Sequence, residues 1–568
     1  MRVILTGGLS MPIRHLLMLI VLSAVALFWR LGVPALHHAE GDWAAIVFNM
    51  FDHGRVFILQ IGQFDYYDKP FLSYWLMLVC AKVVGRVSEG ALRFPSALAG
   101  LASVLITYAF ARRLFGPRVA LHSALILLST SGFVLWGRIA QSEMLNLLGI
   151  LAPLWLFFCW RESASNAWLY TMGIVMAIGS WTKGPLCFAV PGLIIVLYSV
   201  FFRDWKWFRG IHVIAAGALA LGLYFSVFVL GWLDTGRWDA LSLVYRENVV
   251  RLFSPWDHVR PFYYYFYAVP AILAPWSLIL PWIVVYLIKT RRSWNQELKL
   301  VLLVLAGIWA FFALSGSRRS YYLIPMLPFT AMLVAVWLEA LVGMTEKWKR
   351  SFRSFWLAGG ILALVPLIVR LSIPRSLISR YIEMLASGPM AVDRVASVVL
   401  SVPVTLACVA LALVGVSWLY LGATQLRPWS IRVFVAGVCT GVIIYFGLLV
   451  PEFDKLRGYR EFVKEIAALV PPGQTIGIYP KHKAAIVFYL QAYQGMKSYG
   501  FFTNLAEARE TLLKTRGILI AEERDPLPPE SWEKLLGENK LRVKVRTDSE
   551  QYAWGVYRPR PTPRTPPI

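Results

Sequence analysis

Several short polar stretches in an otherwise apolar chain carry residue types suited to acid–base and phosphate chemistry. His37-His38-Ala39-Glu40-Gly41-Asp42 follows the first apolar run, and Asp65-Tyr66-Tyr67-Asp68-Lys69-Pro70 comes soon after. GRIAQSEMLNLL carries Arg138 and Glu143, and WTKGP carries Lys183. The segment 234–263 adds Arg246, Glu247, Asn248, Arg251, Asp257, His258 and Arg260, and GSRRSYY adds Arg318, Arg319 and Tyr321. A carboxylate partly withdrawn from water holds a proton more tightly and can act as a general base. A lysine at the same level can hold a phosphate as a point charge. Taken singly, each has a plainer reading as a solvated loop, a snorkelling cation or an interfacial tyrosine anchor. Together they put several cations and at least two carboxylates on one face, which suits a phosphate-bearing lipid and an acid–base reaction. His37, His38, Glu40 and Asp42 could also ligate a divalent metal, although adjacent histidines without a fixed third ligand are a weak signal.

Apolar helices must position these residues. Of 568 residues, 58% are hydrophobic and only 15% charged, more apolar surface than a soluble core could hide. About thirteen runs, from 16–36 to 433–450, are long enough or nearly so to cross a bilayer. The apolar stretch Phe71–Gly85 is too short and suits a helix lying at the interface. With that stretch not crossing, Arg112/Arg113/Arg118, Arg203/Lys206/Arg209, Lys289/Arg291/Arg292, Lys347/Lys349/Arg350/Arg353 and Arg427/Arg432 all share the side of the basic N-terminus. The positive-inside bias then gives an N-in, C-out topology and places the polar stretches outside. The net charge of +24 therefore reads as membrane topology rather than nucleic-acid binding. The five cysteines all lie in apolar stretches and read as packing residues. Arg30, Glu339 and Arg370 fall near predicted span ends, where snorkelling accounts for them. A proton-coupled carrier would place carboxylates at mid-membrane, so their absence there disfavours a transporter.

The chain thus reads as an all-α polytopic membrane domain over 1–450, with 37–90 as its first outer loop. A small extracytoplasmic α/β domain follows over 451–558, then a Pro-rich disordered tail over 559–568. Helical patterns at 458–469, 483–494 and 504–513 alternate there with strand-like TIGIYP and GILIAEE and two closing strands near 541–547 and 551–557. No phosphate-binding nucleotide loop is present in it.

The order of the outer motifs resembles the integral-membrane glycosyltransferases with the type C fold. Within them it is most similar to the branch of the protein O-mannosyltransferases and the lipid A aminoarabinose transferase. The matching stretches are Ala39-Glu40, KPFLSYW (69–75), RFPSALAG (93–100) ending in RRLFG (112–116), RIAQSE (138–143) and TKGP (182–185). The outer segments RENVVRLFSPWDHVRPFYYY and RRSYYLIPMLP look alike as well. The resemblance covers about 37–335. It implies a polyprenyl-phosphate sugar donor, an extracytoplasmic glycolipid, glycan or protein acceptor, and inversion at the anomeric carbon, in a bacterial cytoplasmic membrane. It carries general-base or orienting roles to Glu40 and Glu143, and donor binding to Lys69, Lys183, His258 and Arg318/Arg319. Arg138, Arg260 and Tyr321 lie in or beside the same motifs. The family's first acid is Ala39 here, so Glu40 takes over the base, Asp42 swings in, or the chain works differently. Two other classes stay open: a lipid or lipid-sugar transporter, and a non-catalytic membrane scaffold.

Overall fold

The computed structural model describes residues 11–557, apart from 38, 62–63, 68, 164, 206–207, 209, 251–257, 262, 342, 373–397, 399–400, 424–427, 455–459, 461–462, 465–475, 480–483, 495–498, 502–517, 523–539 and 544–553. His38, Arg251, Asp257, the expected helix at 504–513 and the tail 559–568 therefore lie outside the described residues, as does most of the expected helix 458–469.

The first helix, α1 (Ile13–Ser23), continues through a wider turn at Ala24–Phe28. Then α2 (Glu40–His53) leads to a two-stranded hairpin, β1 (Gln60–Ile61) with β2 (Phe64–Asp65), and to α3 (Leu72–Val84). At 13 residues α3 is roughly 20 Å long, short of the ~30 Å apolar slab. Next come α4 (Glu89–Phe115), α5 (Pro117–Leu128), α6 (Ser131–Gly137), α7 (Glu143–Ser163), α8 (Asn166–Lys183), α9 (Leu186–Phe202), α10 (Ile211–Thr235) and α11 (Asp239–Tyr245). The series continues with α12 (Tyr264–Leu273), α13 (Leu280–Thr290), α14 (Gln296–Ala313), α15 (Leu327–Leu341), α16 (Glu346–Ser372), α17 (Val402–Ala423) and α18 (Pro428–Ile444).

Seven helices in the described residues are long and apolar enough to cross a membrane, or up to nine if each of two bent pairs is one span. The sequence pattern gives about thirteen, because several apolar runs form short or broken helices that fail on length, such as α9. The bends have physical causes. Between α5 and α6 the axis turns by 63°. There Ser129 Oγ donates to the Leu125 carbonyl at 2.7 Å and Thr130 Oγ1 to that of Ile126 at 2.8 Å. Trp276, at the break between α12 and α13, donates its indole N–H to Ser129 Oγ at 3.1 Å, and Ser131 N–H donates to the Ala274 carbonyl at 2.8 Å. Two broken segments thus satisfy each other's polar groups, as an apolar solvent requires.

Two of the three ionisable residues read as snorkelling are instead paired. Arg30 meets Glu452 at 3.3 Å, and Glu339 meets His122 of α5 at 2.8 Å. Each charge finds a partner on another helix, which offsets burial better than reaching for water.

Two apolar cores follow. One joins the membrane-length helices. The other gathers α2, α3, the start of α4, the later part of α10, and a C-terminal helix, α20 (Ala484–Gln494; α19 is Val450–Asp454). A five-stranded sheet carries α20, with β3 (Ile476–Tyr479), β4 (Tyr499–Phe501), β5 (Ile518–Glu522), β6 (Lys540–Val543) and β7 (Trp554–Tyr557) in the order β4-β3-β5-β7-β6. β3 pairs parallel with both β4 and β5, and β7 antiparallel with β5 and β6. A methyl group built on Gly41 would lie 2.5 Å from the Ala485 nitrogen, so α2 and α20 touch where only glycine fits. Tyr489 of α20, buried, accepts the Leu36 N–H at 2.7 Å and donates to Glu89 at 3.2 Å, fastening the sheet domain to the start of α4.

Candidate active site

Glu40 opens α2, directly after the segment that follows the first helix. Its carboxylate faces Arg93 of α4, and both side chains are 3% exposed. Arg93 Nε reaches Oε1 and a terminal nitrogen reaches Oε2, both at 2.8 Å. Two backbone donors complete the set, Ala140 N–H to Oε1 at 2.8 Å and His37 N–H to Oε2 at 3.1 Å. Arg93 also donates to the carbonyls of Leu31, Pro34 and Ala35 at 3.1, 2.7 and 2.7 Å. A guanidinium has five N–H groups and a carboxylate about four lone-pair sites, so both groups are saturated. Burial alone would raise the Glu40 pKa, but the Arg93 charge and the four donated bonds outweigh it and hold it below the usual carboxylate value. This node knots three segments at one end of the helices, 31–40, the start of α4 and the corner 138–143.

Three residues along that corner begins the second group. α7 and α8 run antiparallel and nearly touch at Gly149 and Gly179, where a methyl on Gly149 would sit 3.1 Å from the Gly179 Cα. Small residues let membrane helices approach this closely. The crossing lies one to two turns from Glu143, at the start of α7, and from Lys183, at the end of α8. The two side chains consequently pair, Lys183 Nζ to Glu143 Oε2 at 2.5 Å, and are 9% and 5% exposed. Lys183 Nζ also lies 5.0 and 4.9 Å from the ring centroids of Tyr321 and Tyr322, within cation–π reach. Trp136 of α6 packs on Tyr321 at 4.6 Å between centroids.

Residues 258–260, before α12, reach this group through 317–319. Arg319 stands 5.5 Å from the Tyr321 ring and contacts the His258 imidazole. Val259 pairs with Ser317, and Arg318 N–H donates to the His258 carbonyl at 3.0 Å, so 258–260 and 317–319 form one unit. Arg318 further contacts the Arg260 carbonyl and donates to that of Ala313 at 2.9 Å, which makes it a clamp on the backbone. Arg260 lies 6.0 Å from the Tyr264 ring. His258 itself has φ +49°, a left-handed conformation uncommon for a residue with a Cβ. On the other side, Gly184 has φ +87°, and a methyl there would meet Asn248 Nδ2 at 2.5 Å, so the corner after Lys183 abuts the 246–250 turn.

The sequence-predicted residues divide accordingly. Glu143, Lys183, Tyr321, Arg319 and His258 come together, with Arg318 and Arg260 bracing them. Arg138 goes elsewhere: it is buried and donates to the Ala26 and Trp29 carbonyls at 3.0 and 2.9 Å, closing the C-terminal end of the first helix. Asp42 is half-buried in the first turn of α2, and Lys69 is half-buried between the hairpin and α3. The hairpin is tied down by Asp65, which Arg237 meets at 2.8 Å. Among the described residues no three His, Cys, Asp or Glu side chains gather to hold a metal. Glu40, with every acceptor position used, does not fit one, and His38 lies outside the described residues. Three residues here were not singled out as site candidates: Arg93, which opens the RFPSALAG stretch, Tyr322, which lies in RRSYYLIPMLP, and Asn248 as the packing partner of Gly184.

A crystal structure of ArnT from Cupriavidus metallidurans bound to undecaprenyl phosphate matches with a TM-score of 0.71, over 96% of this chain and 97% of that one, at 20% identity. The chain has the type C glycosyltransferase fold. The model of the dolichyl-phosphate-mannose-protein mannosyltransferase family matches residues 68–232, a range that includes Lys69, Arg93, Arg138, Glu143 and Lys183. Undecaprenyl phosphate-alpha-4-amino-4-deoxy-L-arabinose arabinosyl transferases are similar too. One from Pseudomonas fluorescens is 28% identical over 286 residues, 47% of this chain and 49% of its own. One from Pseudomonas aeruginosa is 29% identical over 291 residues, with the same shares. The match therefore spans about half the length of these curated relatives, while the type C fold agrees along nearly the whole chain.

Proposed function

We propose that the chain is an inverting glycosyltransferase taking a sugar from a polyprenyl-phosphate carrier to an acceptor hydroxyl outside the cytoplasmic membrane. The acceptor is a lipid A-like glycolipid, a glycan or a protein. The setting is a bacterial inner membrane crossed about thirteen times, N-terminus inside and site outside. The observation that carries this reading is the Glu143–Lys183 pair set against Tyr321 and Tyr322 and flanked by Arg319 and His258.

In such a transfer the acceptor oxygen bonds to the anomeric carbon as the bond from that carbon to the phosphate oxygen breaks. The electron pair leaves with the polyprenyl phosphate, and the acceptor proton goes to a base. Charge thus develops on the phosphate, where Lys183 and Arg319 neutralise it in a partly desolvated setting that strengthens the effect. Lys69 adds a cation on the donor side. Glu143 suits the base because only Oε2 is engaged, by Lys183, and Oε1 accepts no bond among the described residues. A donor phosphate drawing Lys183 away would free the second oxygen too. Glu40 suits the role poorly, since its four donated bonds and lowered pKa favour the proton-free form. We assign Glu40 to positioning the outer loop and keep Asp42 as the second candidate base. The donor class draws support from the ArnT structure, which is bound to undecaprenyl phosphate.

A glycan and lipid profile of cells with the wild-type chain, and of cells with the gene deleted, tests the function. Deletion should remove one envelope glycoform and accumulate its polyprenyl-phosphate sugar. Identical profiles would refute it.

A further inference from the structure

At the opposite end of the helices from the candidate site, α13 and the start of α16 enclose a second feature. Lys289 ends the last turn of α13, and Lys347 and Trp348 begin α16. Together with Pro281, Trp282 and Val285 they line a cleft of about 280 Å³ that opens to the surface. Trp282 is fixed by a 3.1 Å bond from its indole N–H to Ser351 Oγ. Lys289 Nζ stands 5.2 Å from the Trp348 ring centroid. Both lysines are exposed, and neither forms an ion pair among the described residues. Lys349, next along the chain, is by contrast bound to Glu346 at 3.1 Å. The two helices also present bare apolar surface: Val284, Val285 and Ile288 on α13 along the cleft, and Ile361, Leu362 and Val365 further along α16.

We propose that this cleft binds the headgroup of an anionic phospholipid, whose acyl chains lie along the apolar faces of α13 and α16. Three features fit that occupant together. The two ammonium groups complement a phosphodiester, the tryptophans sit where the acyl–headgroup boundary favours them, and the apolar wall runs on from the cleft into the bilayer. Snorkelling accounts for each lysine alone, but not for their convergence on a cleft floored by a fixed indole. The lipid's free energy of binding would link the loop 289–295 to the foot of α16 and stabilise the helix pair by mass action.

The test uses the full chain purified in detergent, with native mass spectrometry to count retained lipids and unfolding temperature measured against added phosphatidylglycerol or phosphatidylcholine. The wild type should retain an anionic lipid and be stabilised by phosphatidylglycerol alone. The double variant K289Q/K347Q should bind it about 30-fold more weakly, since each cation near an anionic lipid contributes roughly five-fold. R291Q/R292Q removes the same charge from exposed positions beside the cleft and should bind as the wild type does. All four side chains are exposed, so both variants should match the wild type in phosphatidylcholine. Equal weakening in the two double variants would reduce the effect to general attraction and overturn the site. So would no preference between the lipids, or the same stabilisation by inorganic phosphate.

Discussion

Glu40 and Glu143 stand three residues apart in contact, through Ala140, yet they are built for different work. Glu40 is saturated by four N–H donors and locked to an arginine that is itself saturated. Among the described residues Glu143 has one hydrogen-bond partner, a lysine that also faces two tyrosines, one of which lies beside Arg319 and its contact His258. A carboxylate with no acceptor position left can neither take a proton nor orient a substrate without first losing a bond. One held by a single flexible cation can exchange that cation for a substrate. The difference separates a structural ion pair from a chemical one more sharply than burial does, since both carboxylates are almost fully enclosed.

The largest way to break the comparison is Arg93→Ala. It would strand a buried carboxylate and three carbonyls, with an expected loss of about 3–5 kcal/mol, read as a fall in unfolding temperature. Lys183→Ala strands one enclosed carboxylate but no carbonyls, so its stability loss should be the smaller of the two, while donor turnover per folded molecule should fall about 10²–10³-fold, the scale for one lost charge-stabilising donor. Equal thermal losses in the two variants would erase the distinction. Gly184→Ala sharpens it further, because the new methyl strains a φ of +87° and collides with Asn248. A stability loss of about 1–2 kcal/mol should follow, with part of the lost turnover recovered by adding Asn248→Ala. Turnover unaffected by Gly184→Ala would detach the 246–250 turn from the site.

The smallest effect is in pH. The Glu40 carboxyl titrates lower folded than unfolded, so its contribution is complete above the ordinary carboxylate value of 4.5 and is lost as pH falls through the lowered folded value. The gap in unfolding temperature between wild type and Glu40→Gln should be constant at neutral pH and narrow only below about pH 4.5. A gap that closes nearer neutrality would mean a carboxyl with a raised pKa, as a working base requires.

Much of this was legible in local pattern. The polar corners announce themselves as charged residues between apolar runs, and Glu143, Lys183, Arg319 and His258 stand out by type alone. α3 is recognisable by being too short to cross. The pairing was not legible, because it is set by helices packing across long sequence separations. Arg93 looks like part of a span until α4 sets it beside Glu40, 53 positions back. Arg138 shares a motif with Glu143, yet it stands at the other end of the corner between α6 and α7 and binds the end of the first helix instead. Tyr489 reaches Glu89 across 400 positions, a contact no periodicity encodes. The breaks at Ser129–Thr130 and Pro275 were not legible either, since hydropathy registers apolar length and not the bends within a run.

The most direct test of the central claim is the level of polyprenyl-phosphate sugar in cells lacking the native gene and carrying Glu143→Gln or Glu40→Gln, scaled to folded protein. Glu143→Gln should accumulate the donor to the level of the deletion, while Glu40→Gln should keep it near wild type per folded molecule. Donor accumulating with folded Glu40→Gln, and not with Glu143→Gln, would contradict the account and return the base to Glu40.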